Sequence, residues 1–126
     1  MRKTNDLLDP VTASDHAQGK SDAPITLLEY GDYQCPYCVA AYPEIKRIQK
    51  ALGRNVRFVF RNFPITTSHP DAESAAEAAE AAGAQGKFWE MHDALYENEG
   101  RVGPDDIAPL VPELGLDEEQ FAADMD

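Results

Sequence analysis

Two cysteines, the only two in 126 residues, stand three positions apart in Gly31-Asp-Tyr-Gln-Cys35-Pro36-Tyr37-Cys38. Thiols at i and i+3 on the first turn of a helix share one face and can be bridged after small adjustments. The residues ahead of them, Ile25-Thr-Leu-Leu-Glu-Tyr30, form the apolar run of a buried strand, and those behind have helical spacing. Cys35 therefore falls where unpaired backbone N–H groups and the helix dipole favour an anion, and a thiolate is expected there more often than at a free cysteine. That is the chemistry of a reversible dithiol/disulfide pair. Zinc is the competing use of such a spacing. Structural zinc usually takes four ligands, whereas one CxxC supplies two, with no second CxxC and no histidines paired at i,i+4. Glu29, six residues before Cys35, is the third group of interest. In an otherwise apolar strand it is either a strand-end acid in water or a buried carboxylate with a use.

The elements that must position these groups follow from periodicity. Residues 1–20 are polar and read as a flexible arm, His16 included. Ser21-Asp-Ala-Pro24 turns the chain into the first strand. A helix is predicted from about Pro36 to Leu52, with Val39, Tyr42, Ile45, Ile48 and Leu52 at helical spacing. Pro43 inside it removes one backbone bond, so a kink is expected near the second turn. Gly53 ends the helix, and Val56-Arg-Phe-Val-Phe-Arg61 is a second strand. One helix between two strands makes a βαβ unit with parallel strands and a right-handed crossover.

From Phe63 onward the pattern is helical. Pro70 opens an alanine-rich helix that Gly83 is expected to stop. Ala75, Ala78, Ala79 and Ala82 allow close approach of a neighbour, and Glu73, Glu77 and Glu80 make a solvated face rather than a metal site. A helix over Gln85–Tyr96 places Phe88, Trp89, Met91 and Leu95 in a core, with His92 packing among them. His69 shapes the turn into the alanine-rich helix. A short helix over Pro104–Leu114 follows, then another after Asp117, where Asp117 and Gln120 form a capping box. Two parallel strands with helices on one flank would leave open sheet edges through which copies could associate, so the sequence reads as cut short.

Composition narrows the function. The net charge is −12, from 23 acidic and 11 basic residues, which opposes nucleic acid and anionic membranes. The sequence has no apolar run long enough for a membrane span and no glycine-rich phosphate loop, so no organic cofactor is expected beyond a redox-active disulfide. Met1-Arg-Lys lacks an apolar stretch behind it, so the reading is cytoplasmic; a trimmed leader would make it periplasmic or otherwise extracytoplasmic.

From Asp22 onward the chain resembles the DsbA-like branch of the thioredoxin superfamily, bacterial thiol-disulfide oxidoreductases with a helical domain inserted in a thioredoxin fold. The resemblance rests on Ala23 to Cys38, on Val56-Arg-Phe-Val-Phe-Arg-Asn-Phe-Pro64, on His69-Pro70 with the alanine helix, and on Gln85-Gly-Lys-Phe-Trp-Glu-Met-His92. Pro43, eight residues after Cys35, matches the kinked active-site helix of thioredoxins. The resemblance implies an α/β thioredoxin-like fold: a βαβ start over 21–62, an incomplete helical insertion domain over 63–126, and a C-terminal ββα part missing. Missing with that part is a Thr-Pro loop that holds substrate opposite the CxxC, since no proline follows Pro112. It also implies roles. Cys35 attacks, Cys38 resolves, and Glu29, its pKa raised by burial, takes the proton of Cys38. Pro36 pre-sets the first turn. Tyr37 replaces the histidine of strong oxidants, so a potential below about −120 mV and toward the glutaredoxin range of about −200 to −230 mV is expected. Partners would be protein or small thiols and an electron donor or acceptor. The alternative is a non-catalytic thioredoxin-like interaction or regulatory module, such as part of a larger transporter.

Overall fold

Three strands form one sheet in the order β1-β3-β2: β1 (His16–Gln18), β2 (Ile25–Gly31) and β3 (Val56–Asn62). The computed structural model describes residues 10–125. β2 and β3 are parallel, with Leu27 beside Phe58 and Glu29 beside Phe60. Between them runs α1 (Pro36–Leu52), which continues through Pro43 and ends at Gly53, whose φ is 52°. Val39, Tyr42 and Ile45 of α1 pack on the core, whereas Ile48 and Leu52 are exposed because the helix outruns it.

β1 corrects the reading of residues 1–20 as a flexible arm. Ala17 lies opposite Val59, antiparallel, and β1 covers the side of β3 that β2 leaves. Two side chains fasten it. Asp15 takes a bidentate bond from Arg61 of β3 at 2.8 and 3.0 Å. The His16 ring stacks on Phe88 at 3.5 Å, and its Nε2 lies 2.7 Å from Glu80 Oε2. A three-residue strand has no visible period, and its partners lie over 40 residues away, so local pattern could not find it. Residues 1–9 of the expected arm fall outside the described residues.

The helices follow as α2 (Ala72–Ala84), α3 (Phe88–Glu97), α4 (Pro104–Ile107), α5 (Leu110–Glu113) and α6 (Glu118–Met125). Seven alanines of α2 are buried, and the small side chains let α3 lie close, with Phe88, Met91 and Leu95 filling the space. Gly83 does not stop α2. It lies inside the helix, where an added Cβ would stand 3.3 Å from Phe88 Cβ, and the turn comes at Gly86 with φ 77°. The single helix expected over Pro104–Leu114 is two, because Pro109 offers no N–H to extend α4. The expected capping box is half present. Asp117 accepts the Gln120 N–H at 2.8 Å, but the Asp117 N–H donates to Gln85, in the turn between α2 and α3, also at 2.8 Å.

Candidate active site

β2 delivers the chain to the dithiol through Gly31, and the packing there admits no side chain. A Cβ at Gly31 would stand 2.2 Å from Phe60 Cε1 and 2.8 Å from the Tyr96 hydroxyl. The next residue, Asp32, is 3% exposed. Its Oδ1 accepts the N–H groups of Gln34 (2.8 Å) and Cys35 (3.1 Å). Its Oδ2 accepts the Ile65 N–H (2.9 Å) and His69 Nδ1–H (2.7 Å). Burial alone would raise its pKa; the bonds from Ile65, His69 and Gln34 outweigh burial and hold the carboxyl below its ordinary range.

Cys35 is the N-cap of α1, and Pro36 begins the helix, so the missing proline N–H is one the helix could not have used. Cys35 and Cys38 come within 3.9 Å of each other as free thiols, one turn apart and both partly exposed. Tyr37 between them is 86% exposed and stands outside the core. Burial pushes the Cys38 thiol up to about 11, while a bond to the Asp32 backbone acts the other way; the charges of Cys35 and Glu29 add to the rise. Cys38 therefore needs a base to become a nucleophile near neutrality.

Glu29 is close enough to Cys38 for its charge to add to that rise. Its register partner is Phe60, so it stands on the sheet face that carries Phe58 and Phe60 and that α1 and α3 cover. Burial raises its pKa from 4.5 to about 7. Glu29 is thus half-buried rather than a strand-end acid in open water.

Sequence reasoning placed His92 in the core but missed its bonded partner there. Tyr33, fully buried, lies 2.8 Å from His92 Nδ1. His92 is itself 2% exposed, and burial lowers its pKa to about 3, so it is neutral. The Tyr96 hydroxyl is buried with no hydrogen-bond partner among the described residues. Tyr33 and His92 are 59 residues apart and no local pattern joins them. Asp32 did carry a signal, since an aspartate two and three residues ahead of the N–H groups of a helix start is the pattern of an Asx turn. A cleft of about 610 Å³ lies elsewhere, between β1, the end of β3, α2 and α6, and includes neither cysteine nor Glu29.

Among the described residues no group of three or more His, Cys, Asp or Glu side chains is arranged to hold a metal ion, and no helix is long and apolar enough to cross a membrane. A dithiol at the start of a helix that links two parallel neighbouring strands, β2 at the sheet edge and β3 at its centre, with a helical layer packed over the sheet, defines a thioredoxin-like α/β fold. The chain belongs to the thioredoxin family, whose profile matches residues 12–126. Within it the chain is DsbA-like. It superposes on a thioredoxin-like oxidoreductase from Silicibacter pomeroyi with a TM-score of 0.81 and 35% identity, covering 90% of this chain and 64% of that one. The thiol-disulfide exchange protein alpha-DsbA2 of Wolbachia pipientis shares the fold, with a TM-score of 0.77 at 22% identity over 90% of this chain and 60% of that one. Among curated relatives, Na(+)/H(+) antiporter NhaA 1 of Salinispora arenicola is 46% identical over 117 residues, covering 92% of this chain. The chain spans 18% of that relative's length.

Proposed function

We propose that the chain exchanges disulfides with protein or small-molecule thiols through Cys35 and Cys38. The observation that carries this reading is two free thiols 3.9 Å apart at the N-terminus of α1, the helix that follows the strand bearing the half-buried Glu29. In the oxidising direction for the chain, the Cys35 thiolate attacks one sulfur of a substrate disulfide. Its S–S bond breaks, one substrate thiolate leaves, and a mixed disulfide forms on Cys35. Glu29 then takes the proton of Cys38, whose thiolate attacks Cys35 Sγ. The Cys35–Cys38 disulfide forms and the second substrate thiolate departs. Run backward, the same steps oxidise a substrate dithiol. We place this chemistry in the cytoplasm, with an electron donor or acceptor restoring the starting form.

Insulin reduction with a thiol donor tests the reading. Turnover by the native chain that Cys35→Ser abolishes supports it; equal rates without protein, with native protein and with Cys35→Ser refute it. Equilibration against glutathione tests the expected potential, and a value near about −120 mV would overturn the argument from Tyr37.

One observation favours a second reading. The 46% identical relative is an antiporter of which this chain matches only 18%, so a regulatory thioredoxin-like domain of a transporter is the alternative. It is preferred if the cysteines exchange with glutathione stoichiometrically but insulin is not turned over.

A further inference from the structure

The Asp32 carboxylate does more than close a turn. Its four acceptor sites are all occupied, two by the dithiol turn (the N–H groups of Gln34 and Cys35) and two by the segment that enters the helical layer (the Ile65 N–H and His69 Nδ1–H). A second tie runs parallel. The Asp71 N–H, at the start of α2, donates to Gln34 Oε1 at 2.9 Å. The residue before the attacking cysteine and that cysteine's own N–H are thus held to residues 65–71 through two side chains.

We propose that Asp32 and His69 are positioning residues for Cys35, fixing its backbone and setting the charge it meets, so that they bias the balance between dithiol and disulfide. This rests on the exchange chemistry proposed above. The reasoning is electrostatic. A carboxylate bonded to the Cys35 N–H places negative charge beside the sulfur, which disfavours the reduced form to the extent that this form carries a thiolate. The His69 donor draws part of that charge toward Oδ2, and removing it leaves more facing Cys35.

The two substitutions therefore have opposite signs. Asp32→Asn removes the charge while its amide oxygen can still accept from Gln34 and Cys35, so the reduced form gains. His69→Ala leaves the charge and removes its partner, so the reduced form loses. His69→Gln restores a donor to Oδ2.

The experiment equilibrates each protein with glutathione disulfide, one disulfide yielding the protein disulfide and two glutathione thiols, and quantifies both protein forms. Asp32→Asn is expected to lower the equilibrium constant at least about threefold. His69→Ala is expected to raise it about twofold or more, with His69→Gln returning toward the native value. A merely structural tie would lower the unfolding midpoints of both redox forms alike and leave the constant unmoved. Unchanged constants, or shifts of the same sign, overturn the proposal. If Asp32→Asn does not fold, His69→Ala against His69→Gln decides it. A native chain that fails to exchange with glutathione at all overturns the function proposed above, and this inference with it, whereas native exchange with unmoved variants overturns this inference alone.

Discussion

Replacing Glu29 by glutamine separates the energetic from the chemical consequence of one half-buried carboxyl. In the unfolded chain this group ionises near 4.5; in the folded protein burial keeps it protonated to about 7. Between those values the folded state binds the extra proton, so its stability falls as pH rises through the window and stays reduced above it. The interval corresponds to at most about 3.4 kcal/mol. Glu29 retains contact with water, and solvent screening reduces the expected effect to about 1–2 kcal/mol. Glutamine has nearly the same shape and no charge to desolvate. Glu29→Gln should therefore match the native protein in urea unfolding at pH 4 and exceed it by about 1–2 kcal/mol at pH 8, both held as dithiols. The same variant removes the base proposed for Cys38. Release of the mixed disulfide should slow by about tenfold or more while the first attack by Cys35 is unchanged, measured by stopped-flow mixing with a disulfide substrate. A stability difference that does not grow with pH would refute the burial argument. Unaltered release kinetics would remove Glu29 from the mechanism even if the stability result held.

The other predictions concern the frame around the dithiol. Asp15, held at about 2 mainly by the Arg61 side chain and then by the Thr12 N–H, contributes stability that is present above its ordinary 3.8 and lost as pH falls toward 2. Asp15→Asn should accordingly cost about 1 kcal/mol at pH 7 and little at pH 2, followed by thermal unfolding across pH. Gly31→Ala should destabilise by about 2–3 kcal/mol, because the Phe60 ring it would strike is fully buried; a midpoint within error of the native one would refute the close approach. Tyr33→Phe leaves His92 Nδ1 buried without its partner and should cost about 1–3 kcal/mol in denaturant unfolding, with no loss meaning that the bond is replaced by water.

The sequence by itself determined the features that depend on near neighbours. The Cys35-Pro36-Tyr37-Cys38 spacing, the apolar runs of β2 and β3, the helical period after Pro36 and the stop at Gly53 are all short-range, and each stands where its pattern placed it, although β2, expected to be buried, is an edge strand with Ile25 and Tyr30 exposed. The alanine face of α2 was legible because burial in a helix recurs every turn. What tertiary structure decided is whatever needed a partner far along the chain. β1 exists because Arg61 and Phe88 are there to hold Asp15 and His16. His92 is neutral because the aromatic layer around it excludes water, and Asp32 became the organiser of the dithiol turn only when the chain returned to it at Ile65 and His69. Glu29 shows the division within one residue. Its position six residues before Cys35 could be read directly, but its pKa is a property of the surface that folding removes from water, and no local pattern carries that information.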